Sequence, residues 1–203
     1  GGRFLPRRLA EPGGRKWIRD HIKNKWTFPN FFGNVVEAMA WDLSVAFGAE
    51  VHSKALQPYY DEFWAKYGGV LHWQEQVVAF YREHGYVQNA LGFRRHEPMS
   101  RNEMINMPVQ STAAEIVLDG QVRLAERAYR ESRPSLQPIM NVHDDLTTYL
   151  PDETLEQDVE DIAREMVCVP FDFINVPLAV DVSVGDNWCD KDDLHTFTTD
   201  DFR

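Results

Sequence analysis

Three clusters in this chain carry residue types whose spacing could support chemistry. The stretch Pro138-Ile139-Met140-Asn141-Val142-His143-Asp144-Asp145-Leu146-Thr147-Thr148-Tyr149-Leu150-Pro151 sets a polar His-Asp-Asp between two apolar half-runs, with Pro at each end. Leu146, Thr148 and Leu150 alternate, so the stretch reads as two short strands folded back at the polar step, with acidic groups at a hairpin tip. A carboxylate held on such a tip can bind a divalent metal with little search among rotamers. Successive strand residues point to opposite faces, so Asp144 and Asp145 are expected to differ, one a metal ligand and the other its neighbour. In Arg19-Asp20-His21-Ile22-Lys23 two cations stand at i and i+4. That pair shares a helix face and suits two negative groups of one ligand, such as the phosphates of a nucleotide. Phe31-Phe32-Gly33 lies beyond them, offering an aromatic face for a base. Asn106 and Gln110, four apart across the start of a long helix, carry amides that donate and accept. They can meet the N3 and O2 acceptors that all base pairs show in the minor groove. Each cluster also has an ordinary reading by itself: a solvated Asp-Asp turn, a solvated cationic face, and helix capping by Asn106 and Ser111.

The elements that must position these residues can be read from periodicity. Two Gly pairs and two prolines make residues 1–14 an arm or linker. A helix is expected from about Arg15 to Phe28, kinked or ended by Pro29. A second runs from Asn34 to Phe47 and stops at Gly48. A short aromatic helix over Tyr59–Lys66 is expected to stop at Gly68-Gly69, and a longer one over Val70–His84 at Gly85. Its buried row is Leu71, Gln74, Val77, Val78 and Tyr81. A small hairpin at residues 86–93, an irregular stretch at 94–107 and a long helix from Pro108 to about Arg130 come next. After the central hairpin, an amphipathic helix carries Leu155, Val159, Ile162 and Met166, and a strand carries Leu178, Val180, Val182 and Val184. The acidic tail from Asp190 is expected on the surface. The order predicts an α+β fold, helical in its first half, with a small antiparallel sheet backed by helices in its second.

The chain's length of 203 residues and 43% hydrophobic content suit one domain or two small ones with a real core. No apolar run approaches the ~20 residues of a membrane-spanning helix, the first residues do not resemble a signal peptide, and the two cysteines form no disulfide framework. No membrane partner and a reduced, cytoplasmic setting are the expectation. The net charge of −11 would argue against nucleic acid, but residues 1–25 hold eight cationic side chains against two acidic ones. That local +6 leaves −17 for the rest, so a basic arm can grip phosphate while the acidic body stays soluble.

Taken together the clusters resemble the C-terminal part of family A DNA polymerases, with phage-encoded members the nearest type. Arg19-x-x-x-Lys23 with Phe32-Gly33 is similar to the family's fingers-helix motif. Asn106-Met107-Pro108-Val109-Gln110-Ser111-Thr112-Ala113 is similar to its primer–template helix, and Val142-His143-Asp144-Asp145-Leu146 to its last palm motif. Val184-Gly185-Asp186-Asn187-Trp188 resembles the closing segment, and the likeness covers about residues 15–190. The resemblance implies a right-hand polymerase fold, with an arm at 1–14, fingers at 15–100 and part of a palm at 101–203. It implies primer–template DNA and a dNTP as partners, and Mg²⁺ in a two-metal site. Asp144 would bind the catalytic Mg²⁺ with Asp145 in support, and His143 would lie against the primer end. Lys23 would meet the triphosphate and protonate the leaving pyrophosphate, and Arg19 would hold the outer phosphates. Phe32 would stack near the nascent pair, and Asn106 and Gln110 would contact the minor groove.

The chain departs from that pattern twice. Its lysine-to-aromatic-Gly spacing is one residue longer than the family's, Phe32 stands where Tyr is usual, and Pro29 lies inside the segment. Which of Trp26, Thr27 and Phe28 faces the sugar is left open. The first palm motif, an Asp followed by Tyr-Ser with a downstream Glu, is absent from residues 1–203, as are the exonuclease and thumb; Glu37, Asp42 and Glu50 have no matching context. The expectation is therefore the C-terminal polypeptide of a split or cleaved polymerase, completed by a second chain carrying the other metal-binding Asp and the thumb. A single-subunit RNA polymerase fragment, a non-catalytic DNA- or partner-binding replication subunit and a metal-independent globular domain are the alternatives.

Overall fold

The computed structural model describes residues 11–203, so most of the basic arm lies outside the described residues. The chain divides into two compact units, Gly1–Gln110 and Ser111–Arg203. The first is helical. Helix α1 (Gly14–Ile22) passes into a π-helical turn (Lys23–Thr27) and then α2 (Phe28–Phe31). Helices α3 (Val36–Phe47), α4 (Ser53–Lys66) and α5 (Gly68–His84) come after it, then a short hairpin, β1 (Val87–Gln88) with β2 (Arg94–Arg95), and the start of α6 (Arg101–Glu131). Gly48 (φ 60°) and Gly85 (φ 76°) end α3 and α5 in left-handed caps, as their positions in the sequence predict.

Of the two outcomes expected at Pro29, an end to the helix is not found. The helix neither ends nor breaks there; it runs on to Phe31 because the turn before it is wound with i→i+5 bonds. Phe28 N–H donates to the Lys23 carbonyl, and Pro29, which has no N–H to give, falls at the start of the next α-helical turn. Helix α6 begins at Arg101, seven residues ahead of Pro108. A capping box starts it: Ser100 N–H and Oγ–H donate to the Glu103 carboxylate at 2.9 and 2.8 Å, and Glu103 N–H donates back to Ser100 Oγ at 3.4 Å. Burial of Ile105 and Met107 outweighs the proline penalty inside the helix. Gly68 and Gly69, expected as a stop, instead open α5, and α4 reaches back to Ser53.

The core of this unit holds Met39, Ala40, Leu43, Trp64, Val78, Val87 and Ile105. Phe31 meets the rings of Phe63 and Tyr67 at 5.1 and 5.2 Å, fastening α2 to α4.

The second unit is the antiparallel part. The rest of α6 leads to β3 (Met140–Val142) and β4 (Asp145–Thr147), paired Val142↔Asp145 across a two-residue loop. Helix α7 (Leu155–Val167) then precedes β5 (Ala179–Val184) and β6 (Asp192–Thr198), paired with a bulge at Val182/Ser183. Leu124, Ala128, Leu136, Val159, Ala163 and Val167 form its core. The acidic tail lies on the surface, as expected, and most of it is a paired strand. Its end is tied down by Thr199 Oγ1, which donates to the Val167 carbonyl at 3.2 Å, and by Phe202, whose ring lies 4.6 Å from the Arg164 guanidinium. The α+β architecture matches the expectation. Among the described residues no helix is long and apolar enough to cross a membrane.

Candidate active-site elements

In the first unit Arg19 and Lys23 share one groove. It has a volume of about 520 Å³ and is lined by Arg15, Ile18, Arg19, Ile22, Lys23 and Thr27. Three cations on one side of a helix make a site for a polyanion. Of the three residues open for the sugar-facing position, Thr27 lines this groove and the Phe28 ring lies 5.1 Å from Lys23 Nζ. Trp26 does neither; its carbonyl accepts from Asn30 Nδ2 at 2.8 Å. Phe32 sits one turn beyond Phe28, ring centroids 6.0 Å apart.

Gly33 comes directly after Phe32 at φ 84°, and a Cβ there would stand 2.6 Å from Ile105 Cδ1 and 2.9 Å from Arg101 Nη1. The backbone there favours glycine, and any side chain would also have to displace the ends of Ile105 and Arg101. That close approach lets Arg101 Nη1 donate to the Gly33 carbonyl at 3.1 Å and Asn102 Nδ2 to Asn34 Oδ1 at 2.5 Å. The first turn of α6 thereby fixes the end of the cation-bearing helix. On the same helix Asn106 is half-buried, with its Oδ1 buried and without a hydrogen-bond partner, and Gln110 is exposed.

In the second unit His143 and Asp144 form the two-residue loop of the central hairpin, and Asp145 opens β4. All three are exposed. His143 has φ 59°. A two-residue hairpin loop with positive φ at its first position normally takes Gly there, so an imidazole is held at a strained tip. Replacing His143 by Val is expected to lower stability by about 1–2 kcal/mol, while His143→Gly leaves it level or slightly raised. Urea denaturation of the two variants checks this.

Neither the Asp144 nor the Asp145 carboxylate is engaged in a hydrogen bond or ion pair among the described residues. No group of three or more His, Cys, Asp or Glu side chains is gathered there as a metal cage either. The donor set suits Mg²⁺ all the same. That ion takes hard oxygen ligands, commonly one or two carboxylates together with substrate phosphates, not an all-protein cage.

The sequence model of DNA polymerase family A matches residues 19–190, which includes Arg19 and Lys23 of the groove, the α6 amides and the hairpin tip. This chain belongs to that family. DNA polymerase I of Chloroflexus aurantiacus is 30% identical over 167 residues, covering 77% of this chain and 17% of the relative. DNA polymerase I of Pseudomonas aeruginosa is 31% identical over 168 residues, covering 77% and 18%. The chain spans less than a fifth of the length of these relatives. The fold is similar to a solved structure, the POL domain of Pol1 from M. smegmatis in complex with DNA primer-template and dNTP. The TM-score is 0.64 at 18% identity, over 78% of this chain and 28% of that one.

The π turn at Lys23–Thr27 lies within the segment between Lys23 and Phe32-Gly33, where an i→i+5 turn takes up one residue more than an α-helical turn. The match ends at Asp190, so β6 lies beyond it. Two further groups were not singled out in the sequence: Ser100–Glu103, whose capping-box spacing was visible, and Gln74, a polar residue on an otherwise apolar helical row.

Proposed function

We propose that this chain takes part in template-directed DNA synthesis, transferring a nucleotide from a dNTP to a primer 3′-OH. The observation that carries the reading is that one family match includes Arg19 and Lys23 of the groove, the α6 amides and the carboxylate tip. Arg19 and Lys23 bind the triphosphate in the groove, and Lys23 delivers a proton to the departing pyrophosphate. Thr27 and Phe28 face the sugar, and Phe32 stacks near the new pair. Asn106 and Gln110 donate to the minor-groove acceptors, and Asp144 would hold Mg²⁺ with Asp145 beside it. His143 lies against the primer end. Bound Mg²⁺ would supply Lewis-acid stabilisation of the attacking and leaving oxygens in a two-metal displacement.

The second metal-binding carboxylate comes from outside residues 1–203. In the split-subunit form of the proposal it sits on a separate polypeptide, together with the thumb. The surface of the second unit supports an association of this kind. Ile139, Met140 and Val142 are exposed around β3, Leu118, Val122 and Tyr129 are exposed on α6, and both of its sheets have only two strands. Unpaired strand edges and exposed apolar rows are surfaces that associate. A phage-encoded enzyme acting in a host cytoplasm is the source-level part of the proposal and rests on the motif likeness.

The test is primer extension with dNTPs and Mg²⁺ by this chain alone, with whatever co-purifies from its native source, and by that assembly carrying Asp144→Ala. Activity confined to the assembly and lost in the variant supports the split polymerase. Normal extension by the chain alone ends the partner requirement, and undiminished activity in the variant moves catalysis elsewhere.

A further inference from the structure

The helix bearing Arg19 and Lys23 is held at its far end by a buried amide that none of the family motifs contains. Gln74 lies on α5 with 1% of its surface exposed, on the row otherwise made of Leu71, Val77, Val78 and Tyr81. Its Nε2 donates to the carbonyls of Phe31 at 2.9 Å and Asn30 at 3.2 Å. Those carbonyls end α2, where a helix runs short of donors of its own; the Asn30 carbonyl also accepts from Gly33 N–H at 3.2 Å. Asn30, wholly buried, passes the restraint back: its Nδ2 donates to the Trp26 carbonyl inside the π turn. The π turn leads in turn to Lys23, whose carbonyl accepts from Phe28 N–H.

A π turn next to a proline is the place where this helix is least determined by its own hydrogen bonds, since Pro29 gives none back to the preceding turn. An outside donor that fixes the end of α2 therefore fixes the angle at which the π turn presents Lys23 and Thr27 to the groove. Burial of a polar side chain on an apolar row is costly unless its bonds do something that an aliphatic residue cannot.

We propose that Gln74 is a positioning residue for the nucleotide. It acts through the Asn30 and Phe31 carbonyls to set the pitch of the helix that carries Arg19 and Lys23. The word nucleotide rests on the function proposed above; the mechanical part does not. Gln74→Met keeps the side chain's length and removes both donated bonds, and Gln74→Asn keeps the amide but is one methylene short.

Two measurements test this. In hydrogen exchange of the full chain, both variants are expected to speed exchange of peptides covering residues 23–34 by about tenfold or more, with peptides from α3 and α7 unchanged. In the primer-extending assembly, both are expected to raise the KM for dNTP about tenfold while kcat stays within about threefold. Unchanged exchange at 23–34, or a fall in kcat with KM unaltered, overturns the proposal and leaves Gln74 a structural residue. If the wild-type assembly extends no primer, the polymerase reading fails and the nucleotide role with it. The exchange result still decides separately whether Gln74 holds the helix.

Discussion

Asp144→Ala is expected to reduce primer extension by at least about 10³-fold, a loss of ~4 kcal/mol of transition-state stabilisation. The hairpin makes the two neighbouring carboxylates unequal. Asp144 is in the loop itself, while Asp145 is the first residue of β4, in register with Val142 and with its carbonyl 3.3 Å from Asn141 Nδ2. A backbone pinned by strand pairing and by the Asn141 amide aims the loop carboxylate, and a pre-aimed ligand loses little entropy on binding a metal. Asp145→Ala should therefore cost less, about 10- to 100-fold, because in the proposed site it is a supporting charge and not the ligand. The Asp144 side chain is exposed and makes no bond among the described residues, so its loss should leave stability within about 0.5 kcal/mol. Single-turnover extension paired with thermal unfolding checks both parts. Activity retained at a tenth of wild type or better would remove Asp144 from the metal site.

How legible this chain was depends on whether local or distant groups decided each element. The central hairpin was legible because its two apolar half-runs and polar step are themselves the turn, and β3, β4 and the two-residue loop lie where the pattern put them. The left-handed φ at His143 was not, since no neighbouring Gly marks it. Helix stops at Gly48 and Gly85 were readable from glycine's freedom at positive φ, whereas Gly68 kept a helical conformation and opened α5. Pro108, expected to open the long helix, lies seven residues inside it. Proline's local penalty is real, but a π turn removed the conflict at Pro29, and the Ser100–Glu103 box with buried Ile105 and Met107 outweighed it at Pro108. Strand β6 escaped notice because its acidic residues hid the alternation of Leu194, Thr196 and Thr198. Gln74 read as part of a core stripe, and its bonding partners lie more than forty residues earlier in the chain. The motif residues were visible as types and spacings; the groups that aim them were not.

The second large effect concerns the charged seam that joins α6 to α7. Asp158 has no exposed surface, and Arg133 ion-pairs with it, with Asp161 at 2.6 Å and with Glu131 at 3.2 Å. Thr154 Oγ1 donates to the other Asp158 oxygen at 2.8 Å. Arg127 reaches Asp161 at 2.9 Å, and Arg123 reaches Glu165 at 2.7 Å. Burial by itself would push the Asp158 carboxyl up, but hydrogen bonds from Arg133, Ser135 and Thr154 outweigh it and hold the group below the ordinary aspartate range. Asp161 is lowered in the same way, burial being overcome by Arg133 and Arg127. Replacing Arg133 by Met leaves Asp158 buried and charged without its cation, a change expected to cost about 3–5 kcal/mol. In a unit of this size that is a fall in Tm of roughly 15 °C or more.

The pH dependence gives the sign. In the wild type, a carboxyl lowered on folding contributes stability that is complete above the unfolded value of about 3.9 and is lost as pH falls through the folded value. In Arg133→Met, burial without the arginine turns the Asp158 shift upward, so the penalty is largest at neutral pH and shrinks as the carboxyl takes up a proton. The stability gap between wild type and variant should therefore narrow as pH falls from 7 to about 4.5. Urea denaturation at the two pH values measures it, and a gap that stays constant would mean that the seam's contribution comes from packing of the arginine's methylenes and not from its charge.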